Sequence, residues 1–300
     1  MSNFEIELLN KIRENVSPFF ESLFNFFTNL GGQEILILVI IVIYFVFSKK
    51  IGQQLGYTIF LSLLVNNTLK VIVDRVRPFN HPKATYTVDE DVMAHATGMS
   101  FPSGHAQNSS VTYFSVAMNY KQKKIWLIAS IIVILVALSR VVLGVHYPSD
   151  VIVAVLLGLG FAIVGTKLHE KYATTLKGKM ILYITTAAIF LPFILIYFSK
   201  INTNYIGYKD LFTIYSFYLG FILAVYLENR FVDFNEDIHL KYRIIRAVIA
   251  VVIILSLMLG LKFIFPKDNI FFDMIRYFSL SFVGLGIYPI VFKNSLFKTK

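Results

Sequence analysis

Long apolar stretches separated by short polar or basic segments dominate the chain from residue 34 onward. Nine of these stretches approach or reach the ~17–25 residues that an α-helix needs to cross a bilayer. Their predicted bounds are 34–48, 53–73, 102–119, 125–143, 149–166, 180–198, 211–227, 245–265 and 271–292. The pattern predicts an all-α, polytopic transmembrane helix bundle.

Residues 1–30 show a different pattern, in which apolar side chains recur at helical spacing but charges interrupt them. Phe4, Leu8 and Ile12 fall on one helix face. A helix that is apolar on one face and charged on the other is typical of the membrane interface. We therefore expect an interfacial amphipathic segment, and we expect no cleaved signal peptide because no cationic stretch precedes a continuous apolar one.

Composition supports a membrane protein. Hydrophobic residues make up 56% of the 300 residues and charged residues 15%, and the mean hydropathy is +0.67. The net charge of +10 could suggest a nucleic-acid partner, but the basic residues flank apolar segments, so we expect no nucleic-acid binding. The chain has no cysteine, which excludes disulfides and thiolate metal sites.

The distribution of Lys and Arg predicts the orientation in the membrane. One set of helix ends carries 16 of the 28 basic residues: Lys49, Lys50, Lys121, Lys123, Lys124, Lys167, Lys171, Lys177, Lys179, Arg230, Lys241, Arg243, Arg246, Lys293, Lys298 and Lys300. The positive-inside rule makes this set cytoplasmic. The C-terminus is then cytoplasmic, whereas the long loop 79–101 and the turn 147–149 are extracytoplasmic.

Four basic residues lie at or within the predicted helix ends on the extracytoplasmic side: Lys70, Arg75, Arg77 and Arg140. Lys70 and Arg77 are seven residues apart, close to two helical turns, so they leave one helix face; Arg140 adds a third cation. A charge at mid-bilayer costs about 2.5–3.5 kcal/mol on insertion scales. Cations in such places indicate a functional site.

Two further segments, 102–105 and 146–150, complete a candidate anion site. We expect a helix to start at Pro102, which leaves the N–H groups of Ser103, Gly104 and His105 free at a positive dipole end. Pro148 favours an extended conformation at Tyr147, so His146 and Asp150 are not expected to form a plain i, i+4 helical pair. We expect Asp150 to reach back to His146 from the first turn of the next helix. This set suits a phosphoryl group: one imidazole can attack phosphorus, and the other can protonate the departing oxygen.

Three motifs in this order resemble the signature of the type 2 phosphatidic acid phosphatase family. They are Lys70 with Arg77-Pro78, then Pro102-Ser103-Gly104-His105, then Ser139-Arg140 followed by His146 and Asp150. The resemblance implies His146 as a nucleophile that forms a phosphohistidine, Asp150 as its partner and His105 as general acid. It further implies a phosphate-binding set formed by Lys70, Arg77, Ser103, Gly104 and Arg140, with neither metal nor cofactor.

The resemblance also implies a domain organisation. It covers about residues 30–198, the six-helix core of the family, and is greatest to a bacterial subgroup with extra C-terminal helices. We therefore expect an interfacial segment at 1–30, a phosphatase core at 31–198 and a transmembrane extension of about three helices at 199–300. Oligomeric state stays open.

The implied activity is hydrolysis of a lipid phosphate or polyprenyl pyrophosphate by an integral protein of the cell membrane. Polyprenyl pyrophosphates such as undecaprenyl pyrophosphate, phosphatidylglycerol phosphate, phosphatidate and sphingoid phosphates fit the same residues, and an extracytoplasmic site favours a polyprenyl pyrophosphate of the outer leaflet. An anionic lipid carrier or flippase and a non-catalytic lipid-phosphate-binding protein are the alternatives. A carrier needs no His, His and Asp set, and a binding protein would be expected to lack the nucleophile or the acid.

Other polar residues receive structural interpretations. His81 and His95 are expected to be solvated loop residues, because their spacing is not that of zinc ligands. Asp273 and Arg276 are expected to pair with each other at i, i+3 spacing. Arg75, inside the first motif, has no assigned site role.

Overall fold

The computed structural model describes residues 2–94 and 96–297, and all regular structure in these ranges is helical. The first eight helices are α1 Ser2–Asn15, α2 Pro18–Thr28, α3 Gln33–Val42, α4 Lys49–Val73, α5 Glu90–Ala94, α6 Gly104–Tyr120, α7 Lys123–Val142 and α8 Pro148–Tyr172. The others are α9 Leu176–Phe198, α10 Tyr205–Phe231, α11 Leu240–Ile264, α12 Ile270–Ser281 and α13 Tyr288–Val291. Short π-helical turns occupy Ile43–Phe47 and Phe282–Ile287.

Seven helices within the described residues are long and apolar enough to cross a membrane, and an eighth span results if Pro18–Gly31 and Gln33–Phe47 count as one broken span. The chain is therefore a multi-span integral membrane protein, and the predicted all-α bundle is confirmed. The predicted spans 34–48 and 102–119 are not among the seven. The first of them is divided into α3 and a π-helical turn.

The second of these, predicted to start at Pro102, begins instead at Gly104, and the resulting helix α6 has 17 residues. Its polar side chains are buried within the protein. Gln107 Nε2 donates to the carbonyl and the hydroxyl oxygen of Ser62 on α4, and Asn66 Nδ2 donates to Gln107 Oε1 at 2.8 Å. Such hydrogen bonds between helices explain the low hydropathy of α6, because its polar groups are satisfied inside the bundle.

The chain divides into two compact units. Unit 1 consists of residues 1–36 and 61–166, and unit 2 consists of residues 37–60 and 167–300. Each unit thus combines segments that are distant in the sequence. The domain boundaries expected at residues 30 and 198 stay a prediction.

In unit 1, α6 packs along α7, and α2 also packs against α7. Small residues allow the close approach of α6 and α7: Ala117 of α6 and Ala129 of α7 are buried in one cluster with Phe114 and Val133. Near the start of α6, Ala106 packs with Val151 and Ala154 of α8. These contacts bring the starts of α6 and α8 together, and the candidate site lies there.

In unit 2, α10 packs against α9 and α12. Stacked aromatic rings fill part of this core, with Tyr57 parallel to Tyr183 at a centroid distance of 5.1 Å. The buried carboxylate of Glu228 has a cationic partner in this unit: Lys49 Nζ lies 3.0 Å from Glu228 and 2.7 Å from the exposed Asp233. The expected Asp273–Arg276 pair is confirmed at 2.7 Å.

Candidate active site

His146 lies in the short turn between α7 and α8, in unit 1, and is buried. Arg77 Nη1 donates a hydrogen bond to His146 Nε2 at 3.1 Å. A guanidinium carries no acceptor, so Nε2 must hold a lone pair and the ring proton must lie on Nδ1. The imidazole is thus neutral, with its basic nitrogen turned towards a cation.

Asp150 lies in the first turn of α8, and its side chain is fully buried. Its Oδ2 is 3.6 Å from His146 Nδ1 and accepts hydrogen bonds from Ser100 Oγ at 2.5 Å and from the Tyr147 N–H at 3.1 Å. The carboxylate reaches back to a histidine that precedes the helix, as expected from Pro148. It therefore faces the nitrogen that carries the ring proton.

The first turn of α6 differs in detail from the prediction. Ser103 is the residue before the helix, and its N–H donates to the Asp150 carbonyl oxygen at 3.3 Å, so it is not free for an anion. Its Oγ is buried without a hydrogen-bond partner in the described part of the chain. Lys70 Nζ lies 3.6 Å from where a Cβ on Gly104 would be. This distance is an ordinary van der Waals contact, so the backbone at Gly104 lies next to the Lys70 ammonium.

Arg140, in the last turn of α7, is almost completely buried. Its Nη1 donates to Thr28 Oγ1 at 2.5 Å, whereas its Nε and Nη2 have no hydrogen-bond partner among residues 2–94 and 96–297. His105 on α6 lies near enough to Arg140 and His146 for their charges to act on it. Buried N–H groups without partners are costly unless a ligand accepts from them.

Burial and surrounding cations act together on His146. Burial lowers the pKa of the His146 imidazole well below its usual value, and the neighbouring Arg77, Arg140 and Lys70 lower this pKa further. Each effect disfavours the charged imidazolium. His146 is consequently neutral at pH 7, which is the form that can act as a nucleophile.

Tyr86, in the loop that follows α4, packs against the turn that carries His146. Tyr86 donates a hydrogen bond from its hydroxyl to the Gly144 carbonyl at 2.9 Å. Gly144 has a φ of +71°, and a Cβ at this position would lie 2.5 Å from the Tyr86 ring. The turn geometry and the ring position therefore depend on the same glycine.

Sequence reasoning missed Arg75, Glu5 and Ser100. Arg75 Nη1 pairs with Asp150 Oδ1 at 2.5 Å, and Arg75 Nη2 pairs with Glu5 Oε2 at 2.8 Å. Glu5 had a signal in the sequence, because it falls on the apolar face of α1 with Leu8 and Ile12 at i+3 and i+7. Ser100 had none, since its contact with Asp150 joins residues 50 positions apart.

The structure places all eight predicted site residues in unit 1, at the starts of α6 and α8 and the ends of α4 and α7. These are His105, His146, Asp150, Lys70, Arg77, Ser103, Gly104 and Arg140. The arrangement offers a neutral imidazole, a carboxylate on its far side and cationic donors on its near side. His95, expected to be a solvated loop residue, lies outside the described residues.

Comparison with known proteins identifies the family of this chain. Residues 52–173 match the PAP2 superfamily, and residues 212–300 match the family described as "PAP2 superfamily phosphatase, transmembrane extension". An undecaprenyl-diphosphatase of Sulfolobus acidocaldarius is 31% identical over 156 residues, which are 52% of this chain and 73% of the relative. The chain belongs to the PAP2 superfamily. The resemblance stated from the motifs is thereby confirmed.

Two other PAP2 proteins are similar. Phosphatidylglycerophosphatase B of Bacillus subtilis is 31% identical over 155 residues, covering 47% of this chain and 71% of the relative. The crystal structure of a transmembrane PAP2 type phosphatidylglycerolphosphate phosphatase from Bacillus subtilis aligns with a TM-score of 0.46 and 27% identity, over 56% of this chain and 86% of that one. The first match of the family covers every predicted site residue of this PAP2 chain.

Proposed function

We propose that this protein is a metal-independent phosphatase that hydrolyses a lipid phosphate or polyprenyl pyrophosphate through a phosphohistidine intermediate. The observation that carries the proposal is the hydrogen bond from Arg77 Nη1 to His146 Nε2. It leaves the basic nitrogen of a neutral imidazole beside cations, while Nδ1 faces Asp150. A nucleophile with its basic nitrogen among cations can meet a phosphoryl group without a metal.

In the first step, Arg77 Nη1 gives up its hydrogen bond to His146 Nε2 and donates to a phosphoryl oxygen, and the lone pair of Nε2 forms a bond to phosphorus. The bond from phosphorus to the leaving oxygen breaks, which is the lipid oxygen of a monophosphate or the bridging oxygen of a pyrophosphate. His105 gives its proton to that oxygen, and Asp150 stabilises the positive charge that develops on the phosphorylated ring. In the second step, water attacks phosphorus, the N–P bond breaks, and His105 takes up the proton. The products are inorganic phosphate and either the lipid alcohol, from a monophosphate, or the polyprenyl phosphate, from a pyrophosphate.

The N–H groups of Arg140 without partners and the Ser103 hydroxyl supply donors for the equatorial phosphoryl oxygens. Lys70, close to Gly104, adds a positive charge at the same place. Donors fixed before the reaction stabilise the transition state without reorganisation, and removal of one typically costs about 10²–10³ in rate. In this proposal the free donors and the phosphoryl group satisfy each other.

For the substrate, we propose a polyprenyl pyrophosphate of the outer leaflet. The similar proteins include one named for undecaprenyl diphosphate and one named for phosphatidylglycerophosphate. Both names denote a phosphate on a membrane lipid, and the site residues contact only the phosphoryl group in the mechanism above. The orientation predicted from Lys and Arg selects the outer leaflet.

The decisive experiment measures phosphate release by the purified protein from a panel of lipid phosphates, with EDTA present throughout. We expect wild type to keep its rate in EDTA and His146→Ala to lose turnover. His81→Ala, a loop histidine, is the matched control and should keep the wild-type rate. A rate that vanishes on chelation and returns with a divalent ion would contradict the proposal.

The proposed orientation has its own measurement, which the absence of cysteine makes simple. Thr85 and Ser295 are both exposed. A cysteine introduced at Thr85 should react with a membrane-impermeant thiol reagent in intact cells, whereas one at Ser295 should react only after the membrane is opened. The reverse pattern would place the site on the cytoplasmic face and exclude outer-leaflet substrates.

A further inference from the structure

Asp150 is held on both sides of its carboxylate. Oδ2 accepts from Ser100 and faces His146, whereas Oδ1 accepts from Arg75 Nη1 at 2.5 Å. A carboxylate is planar and turns as one body. The direction in which Oδ2 points therefore depends on the group that holds Oδ1.

Arg75 is itself fixed in place. It follows Asp74, whose φ of +51° ends α4 and turns the chain away from the helix axis. The guanidinium carbon lies 3.9 Å from the centre of the Tyr147 ring, and Nη1 also donates to Ser149 Oγ at 2.8 Å. A guanidinium that is stacked and bonded in this way has little freedom, because its planar donors match only one arrangement of acceptors.

Glu5 on α1 completes the network. Its buried carboxylate accepts from Arg75 Nη2 through Oε2 at 2.8 Å and from the Ser149 N–H through Oε1 at 2.8 Å. That N–H is in the first turn of α8, where backbone donors have no partner within the helix and a negative charge is favourable. Glu5 thus binds both the residue that holds Asp150 and the helical turn that carries Asp150.

We propose that Glu5 is a positioning residue that acts through Arg75 to hold Asp150 Oδ2 towards His146 Nδ1. The N-terminal helix α1 is then part of the active-site scaffold, in addition to the interfacial role expected from its sequence. This inference rests on the proposed function, in which Asp150 stabilises the charge on His146. Neither Glu5 nor Arg75 contacts the phosphoryl group, so substrate binding should not depend on them.

A double-mutant cycle on the full-length protein tests the proposal. We would measure kcat and KM for phosphate release from a lipid phosphate with Glu5→Ala, Arg75→Ala and the double variant. Glu5→Gln keeps an acceptor at the same place, and Glu7→Ala removes an exposed carboxylate from the same helix as a matched control. Thermal midpoints in detergent show which variants are folded.

We expect Glu5→Ala to lower kcat by about 10–100-fold at nearly constant KM, since small misplacements in an active site cost that much. Glu5→Gln should recover most of the rate, and Glu7→Ala should behave as wild type. Adding Glu5→Ala to Arg75→Ala should cause little further loss, because residues that act through one another are not additive.

Losses that multiply in the double variant, or a raised KM with unchanged kcat, would overturn the positioning role. If Glu5→Ala is not recovered folded, Arg75→Lys makes the same test, because lysine keeps the charge but lacks the fork that reaches two carboxylates. Arg75→Lys should lower kcat and leave KM unchanged, and a kcat equal to that of wild type would refute the proposal. An inactive wild type refutes the proposed function, whereas a rate that needs His146 but not Glu5 refutes only the positioning role.

Discussion

Both units contain an arginine that is almost completely buried, and these two arginines differ in how their donors are satisfied. Arg140 in unit 1 and Arg246 in unit 2 are both 1% exposed. Arg246 donates from Nε to the Leu296 carbonyl and from Nη1 to the Asn235 carbonyl. Arg140 donates only to Thr28 within the described chain, and its Nε and Nη2 are left over.

Aromatic rings also contact Arg246. The guanidinium of Arg246 lies over the ring of Phe297 at 4.6 Å and over that of Phe234 at 5.1 Å, so its faces as well as its edges have contacts. Burial of a charge is therefore a poor guide to function in a membrane protein. The hydrogen bonds made by the N–H donors of a buried cation are a better guide to its function. Donors that have partners in the protein stabilise the fold, and donors without partners can bind a ligand.

The largest expected effect comes from replacing each arginine by methionine. Arg140→Met should lower the phosphatase rate by about 10²–10³-fold, as for the loss of a preorganised donor. Its thermal midpoint should stay the same or rise, because a buried charge with few partners is replaced by an apolar chain of similar size. Rates per folded molecule and melting curves in detergent measure both effects.

Arg246→Met is the matched control in unit 2. It removes the hydrogen bonds to two partly buried carbonyl groups, so we expect a loss of about 0.5–1.5 kcal/mol for each of them. The rate per folded molecule should stay near that of wild type. If both variants lose rate and stability to the same extent, the contrast between the two arginines is wrong.

An intermediate effect should appear in the pH dependence. The lowered pKa of His146 keeps the imidazole neutral in mild acid, so the acid limb of kcat/KM should lie below pH ~6.5, the ordinary value for histidine. Arg77→Gln removes a cation that lowers this pKa, and it should move the limb to higher pH. A limb that stays in place would mean that His146 is not the titrating group.

The lowered pKa of His146 also determines how the folding stability of the protein depends on pH. Below pH ~6.5 the unfolded chain takes up a proton at His146 that the folded protein does not, so the unfolded state binds more protons. Stability should therefore fall as the pH drops below ~6.5 and should not depend on this group above it. Melting curves of wild type and His146→Ala between pH 5 and 8, the range over which histidine ordinarily titrates, isolate this contribution.

The smallest effect on the rate is expected from alanine substitutions at two glycines, one in each unit. A Cβ on Gly31 in unit 1 would lie 2.6 Å from the His105 carbonyl oxygen, whereas a Cβ on Gly260 in α11 would meet no atom within 4 Å. Gly31→Ala should displace the start of α6 and lower the rate several-fold, since positioning errors reduce catalysis. Gly260→Ala should keep the rate and raise stability by about 0.5–1 kcal/mol. Equal rates for the two variants would show that α6 tolerates the displacement.

The sequence predicted the helical architecture, because long apolar runs are local signals. Its three spaced motifs selected eight candidate residues that the structure brings together in unit 1, and their roles stay a prediction. It was less successful at helix ends. The start of α6 lies at Gly104 and not at Pro102, since Ser103 is held by the Asp150 carbonyl, a contact between residues 47 positions apart. Periodicity along one helix carries no information about such a contact.

The same reason explains why Arg75 and Glu5 received no site role. Arg75 lies inside the first motif, but its partner Asp150 is 75 residues away and its partner Glu5 is 70 residues away. The charge pair Asp273–Arg276, by contrast, is three residues apart and was predictable from helical spacing. What the sequence missed are contacts that only the folded chain creates.

The contact between Tyr86 and Gly144 has a consequence for how this site can change during evolution. The ring and the missing side chain occupy one space, so neither residue can vary independently of the other. A descendant with a side chain at position 144 would need a smaller residue at position 86, together with a different turn before His146. Positions 86 and 144 should therefore be inherited as a pair, even though 57 residues separate them in the chain.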